Sequence, residues 1–258
     1  MLFGGPRRYG HDGDRAGRRL SRTKEENRSK ALLVVGLTLT VAFMLSASDQ
    51  ATHAQQRGGA NAPSSIPMGG NKSVTRFFVT SKGLGKGGDL GGLAGADAHC
   101  QALAQAQGAG DHTWRAYLST EATAASPAVN ARDRIGAGPW YNSSGDLIAP
   151  HLAALHGSQS KLTKDTAVNE IADEVSPEAH EILTGSRPDG TAFPGNARRS
   201  CNNWTSSGAG SAQVGYSDRM GKGENPKSWN SAHPTSGCSD EAFRKSGGAG
   251  LFYCFAID

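Results

Sequence analysis

Asn202, Asn203 and Trp204, followed by Trp229 and Asn230, combine indole rings with side-chain carboxamides late in the chain. Sugars stack on indole faces and hydrogen-bond to amides, so these residue types suit ligand binding at an exposed surface. Catalysis has less to start from. No G-x-S-x-G elbow, H-E-x-x-H, P-loop or zinc-ribbon spacing occurs. His99, beside Cys100 on a helical pattern, reads as a surface or boundary residue rather than a base or ligand. No catalytic residue and no cofactor is assigned; an exported hydrolase without a recognisable motif is the second reading.

Residues 159–181 bring together six acidic side chains, Asp165, Glu170, Asp173, Glu174, Glu178 and Glu181. Calcium wants several hard oxygen ligands, and Asp173 with Glu174 would be the place for one. The D-x-D-x-D-G spacing is missing, so the segment reads as a solvated acidic surface loop and no metal is assigned. Gly83, Gly85 and Gly88 spell G-x-G-x-x-G between a strand and a helix. That helix starts several residues after the third glycine, and no parallel strand ending in an acidic residue follows, so a glycine-rich turn is the better reading.

The elements that would position these residues begin in the stretch Gly87 to Thr120. Ala96, Cys100, Leu103, Ala104 and Gln107 fall at i, i+4, i+7, i+8 and i+11, one stripe of a helix with Cys100 facing the core. Trp114, Ala116 and Leu118 then alternate with Arg115, Tyr117 and Ser119, the pattern of a sheet with one buried face. Val74 to Thr80 predicts the first strand, and Glu181 to Thr184 a return to the sheet. Ser126 and Pro127 predict a helix running through Asn130 and Arg134 to Gly136, and Leu147 to Leu155 another short one. Residues 185–249 are so poor in aliphatic side chains that disulfides, not core burial, should hold them. Four cysteines without C-x-x-C imply two disulfides, and spacing alone allows three pairings.

Several pieces taken in order resemble the endostatin domain, a relative of the C-type lectin fold. They are Gly-Ala-Asp at 95–97, Cys-Gln at 100–101, Trp-Arg-Ala-Tyr-Leu-Ser at 114–119 and Ala-Arg-Asp-Arg at 131–134. Thr-Gly-Ser at 184–186, Cys201 with Trp204, Cys238 and Tyr-Cys-Phe-Ala at 253–256 follow. The likeness covers roughly residues 76–258. It implies an α+β, C-type-lectin-like (endostatin-like) disulfide-stapled domain with a long loop region that carries ligand sites. It also implies the nested pairing of Cys100 with Cys254 and Cys201 with Cys238. Calcium-dependent lectins use Glu-Pro-Asn and Trp-Asn-Asp triplets, whereas Glu224-Asn225-Pro226 is scrambled and Trp229-Asn230-Ser231 lacks the carboxylate. The zinc-binding histidines of animal endostatins have no counterpart. Arg115, Arg132, Arg134, Arg198 and Arg199 could form a patch for acidic glycans, with separate salt-bridged arginines as the competing reading.

The flanking composition completes the expectation. Residues 1–54 carry 9 Lys plus Arg against 5 Asp plus Glu, and the remainder balances at 18 against 18. A neutral domain argues against a nucleic-acid partner. The apolar run 31–45 after an arginine-rich start reads as a signal peptide, or as a signal anchor if it is not cleaved, which is the one route to a membrane. Residues 55–73 read as a flexible linker, and the domain occupies 74–258. The sequence therefore predicts an exported binding module, periplasmic, cell-surface or extracellular, whose partner is a glycan or an envelope or extracellular protein. A structural envelope protein is a further alternative.

Overall fold

A computed structural model describes residues 73–223 and 225–258. The expected leader, and all of the linker except Ser73, lie outside the described residues, as does Glu224 of the scrambled triplet. Strand β8 (Gly248–Ala256) is the axis of the molecule. Its run Leu251 to Ala256 is buried without a break, as a strand covered on both faces requires. Strand β1 (Phe77–Val79) and β2 (Trp114–Ala116) both pair with it antiparallel at Cys254 and Phe255, so they occupy its two edges. Strand β5 (Glu181–Leu183) pairs with its first half in parallel. β6 (Gln213–Tyr216) and β7 (His233–Pro234) extend the sheet beyond β5, giving the order β1-β8-β5-β6-β7 with β2 beside β8. A separate two-stranded sheet joins β3 (Trp140–Tyr141) to β4 (Leu147–Ala149).

Side-chain alternation along β1 and β8 sorts the core into two layers. Phe78, Phe252 and Cys254 face helix α1 (Gly92–Ala106) together with Trp114, Leu118 and Trp204. Phe77, Val79, Tyr253 and Phe255 face the other way, against Trp140, Ile148, Leu155 and Trp229. The expectation of one buried face fails here: Tyr117 and Ser119 are both fully buried, because residues 131–182 fold over the second face. On α1 the predicted stripe holds through Ala104, while Gln107 lies past the helix end and is exposed.

Two expected helices differ. Ser126 closes a turn instead of capping, its N–H donating to Thr123 Oγ1 (3.1 Å), and Val129 bridges back to Thr120. Only the 3-10 turn Ala131–Asp133 remains of that helix. Pro150 divides the next one into β4 and the single turn α2 (Leu152–Leu155).

Cys100 of α1 is bonded to Cys254 of β8, and Cys201 to Cys238, with Cα separations of 5.6 and 5.7 Å. By loop-closure entropy the first contributes up to about 5 kcal/mol and the second up to about 4 kcal/mol. The domain is thus a mixed α+β fold with two disulfides, which suits an oxidising compartment. Disulfides do not hold the final third alone. Trp204, Ala212, Val214 and Phe243, the last from α4 (Asp240–Ser246), are all in the first core layer. Among the described residues no helix is long and apolar enough to cross a membrane.

The glycine-rich loop is shaped by close packing. A Cβ on Gly88 would lie 2.7 Å from Cys201 Sγ, and one on Gly83 would lie 2.8 Å from the Ala249 carbonyl oxygen. Both glycines therefore answer to contacts inside the protein, with the disulfide resting on one of them.

Candidate functional site

Five of the seven residues from Arg198 to Trp204 have positive φ: Arg198 (54°), Cys201 (47°), Asn202 (57°), Asn203 (55°) and Trp204 (67°). None is glycine, and a left-handed conformation costs such residues roughly 1–2 kcal/mol each. The last four form α3 (Cys201–Trp204), a left-handed turn closed by Trp204 N–H to Ser200 O (2.7 Å) and Thr205 N–H to Cys201 O (3.2 Å). A strained turn persists where its surroundings over-determine it. The Asn203 carboxamide accepts from Glu121 N–H (2.8 Å) and donates to Glu121 O (3.0 Å), pairing with that backbone as a strand would. The Glu121 carboxylate in turn accepts from Arg199 N–H (2.6 Å) and the Ser200 hydroxyl (3.2 Å). Trp204 donates its indole N–H to Ser119 O (2.8 Å), and Cys201 is tied by its disulfide.

The turn forms one wall of a cleft of about 350 Å³, faced by Glu121, Thr123, Gly195, Arg198 and Ser211. Arg198 and Asn202 are exposed at its rim. The Arg198 guanidinium makes no hydrogen bond or ion pair among the described residues. Asn202 donates through Nδ2 to Thr205 Oγ1 (2.8 Å), which leaves its Oδ1 open as an acceptor. The cleft thus offers a forked cation and an amide carbonyl on a backbone that its neighbours hold rigidly.

The expected exposed indole and amide set is not found as such. Trp204, Trp229 and Asn230 are 0%, 4% and 1% exposed. Trp229 is drawn into the second core layer, its ring 4.8 Å from Tyr117 and 5.2 Å from Tyr253. Asn230 Nδ2 is spent on Tyr117 Oη (3.0 Å) and the carbonyls of Arg187 and Pro188 (3.1 Å each). Only Asn202 and, half-buried, Asn203 reach the cleft. Glu121 was missed because its partners lie 78 to 82 residues away, and no local spacing announces them.

The arginines do not gather into a patch. Arg115 and Arg134 both bind Asp97, each with an N–O distance of 2.7 Å, and Arg132 lies 3.9 Å from Asp133. The acidic segment is not one solvated loop either. Glu170 and Glu181 are 8% and 2% exposed, Glu170 accepting from the N–H and hydroxyl of Ser81. Glu174 pairs with Lys164 (3.1 Å). Asp173 is exposed, and among the described residues no group of three or more His, Cys, Asp or Glu side chains could hold a metal ion.

Besides His112, whose Nδ1 lies 3.4 Å from Asp258, two closer histidine–carboxylate pairs were not anticipated. His180 Nδ1 lies 2.8 Å from Asp218, and His233 Nε2 lies 3.0 Å from Glu181, whose other oxygen accepts from Ser246 (2.7 Å). Among the described residues no serine hydroxyl is hydrogen-bonded to an imidazole, so neither pair has the arrangement of a nucleophile with its base. The hydrogen bond to Glu181 raises the His233 pKa above its ordinary 6.5. Burial lowers that of His156, whose Nε2 is 2.7 Å from the Tyr117 hydroxyl.

The two shifts act on stability with opposite signs. The His233 contribution is complete below the unfolded pKa near 6.5 and disappears as pH rises through its higher folded value. His156 must stay neutral, so its site loses stability as pH falls from about 6.5 through its lower folded value. Urea midpoints measured from pH 5 to 8 should show His233→Gln costing most at the acid end. His156→Gln should flatten the acid-side loss. A His233→Gln penalty that is unchanged at pH 8 would contradict the ion pair.

No protein-family model matches this chain, and no curated protein matches it. The cleft is therefore read from its own geometry.

Proposed function

We propose that the chain is an exported binding module that takes a carbohydrate, or another envelope or extracellular ligand, in the cleft lined by Arg198, Asn202 and Asn203, without calcium. The observation that carries this reading is that, among the described residues, the Arg198 guanidinium and Asn202 Oδ1 are unengaged beside a left-handed turn, Cys201–Trp204, fastened by Glu121 and a disulfide. Strained backbone held this firmly is characteristic of ligand-binding positions. A C-type-lectin-like, endostatin-like fold is part of the same proposal. It is supported by the nested disulfides, one joining the first helix to the last strand and one closing the long loop.

The test is a glycan and polysaccharide array on the domain, with and without chelator. Asn202→Gly removes the amide yet leaves the left-handed backbone unstrained, so its effect reports ligand contact. It and Arg198→Gln should each weaken binding by about 1–2 kcal/mol, with unchanged melting. Binding that survives both variants, or that chelator abolishes, would move the site away from this cleft and, in the second case, toward Asp173 and Glu174.

A further inference from the structure

A second cleft, of about 430 Å³, shares no residue with the first and lies between the end of β1 and the segment 169–179. Its size is within the range of small-molecule sites. Val175, Ala179 and Leu251 give it an apolar floor. Most polar groups around it are already committed. Ser81 is bonded to Glu170, the Ser176 hydroxyl to Glu178, and Glu174 to Lys164. Two charges remain: among the described residues neither the Lys82 ammonium nor the Asp173 carboxylate has a hydrogen-bond or ion-pair partner, and both side chains are exposed.

An apolar floor with one free cation and one free anion at its rim selects its ligand by charge as well as shape. A purely apolar ligand would take water from both charges and return nothing. An anion would meet Asp173 and Glu174, and a simple cation would leave Lys82 and the floor unused. We propose that this cleft binds an α-amino acid with an apolar side chain, its ammonium facing Asp173, its carboxylate facing Lys82 and its side chain on the floor. This site stands independently of the first cleft.

Titration calorimetry of the full chain with L-leucine and L-phenylalanine should show saturable binding. N-acetyl-L-leucine and L-leucinamide, each lacking one charge, should bind at least tenfold more weakly. Asp173→Asn should remove the discrimination between leucine and N-acetyl-leucine, and Lys82→Met that between leucine and leucinamide. Asn202→Gly should change neither. Because neither charged side chain has a partner among the described residues, these variants should melt as the unaltered protein does. Equal affinity for leucine and its two derivatives, or no saturation by about 10 mM leucine, would overturn the proposal.

Discussion

Replacing Trp229 by alanine is expected to destabilise the domain by about 3–5 kcal/mol, the range for truncating a buried aromatic. In a domain of this size that lowers Tm by roughly 6–20 °C. The indole packs against Tyr117, Tyr253 and His156, with ring centroids 4.8, 5.2 and 5.7 Å away. None of these neighbours is free to collapse into the gap. Tyr117 is held by His156 and Asn230, and the Tyr253 hydroxyl donates to the Trp229 carbonyl (2.8 Å). The Tyr117 and Tyr253 hydroxyls also have pKa values raised by burial, so the layer stays neutral across the physiological range. Urea unfolding of Trp229→Ala and Trp229→Phe, the second losing less, checks the expectation. A midpoint that stays in place while ligand binding falls would return Trp229 to the role of a surface contact.

Trp229 also shows where the sequence stops being readable. Residue type and local spacing say that an indole sits between Ser228 and Asn230, but not that Tyr117, His156 and Tyr253 will pack around it. The stripe on α1 was legible because its period is contained within four turns, whereas β8 was reached only through the resemblance carried by Tyr-Cys-Phe-Ala at 253–256. The disulfide pairing came from the resemblance, since spacing left three choices. The expected helix after Ser126 failed for a local reason: the same hydroxyl-bearing residues that cap helices also close turns, and Thr123 claimed Ser126 first. In the first cleft, Asn202, Asn203 and Arg198 were legible as residue types. The left-handed turn that arranges them was not, beyond the tolerance of asparagine for that conformation at two successive positions. Glu121, which fastens the turn from the far wall, left no trace in sequence at all.

Asp97→Ala is expected to cost a further 3–5 kcal/mol, measured alone, although Asp97 was absent from the apolar stripe read on α1. Its carboxylate accepts from Arg134 Nη2 at both oxygens (2.9 and 2.7 Å), from Arg115 Nη1 (2.7 Å) and from Ala116 N–H (2.9 Å). These bonds fix the first turns of α1 against β2, one residue before Tyr117 enters the second core layer. The two arginines differ in what they lose. Arg134 is only 11% exposed and would be left as a buried cation without its counter-charge, the costly half of breaking such a pair. Arg115 is 42% exposed and can turn to water, so Arg115→Ala should cost at most about 1 kcal/mol. The decisive comparison is a double-mutant cycle of Asp97→Ala with Arg134→Met. Removing the cation together with the carboxylate should recover much of the single-variant loss, because the penalty lies in the orphaned guanidinium rather than in the missing attraction. Strictly additive losses would mean that Arg134 finds water or another acceptor when Asp97 is gone, and that the pair does not hold α1 on the sheet.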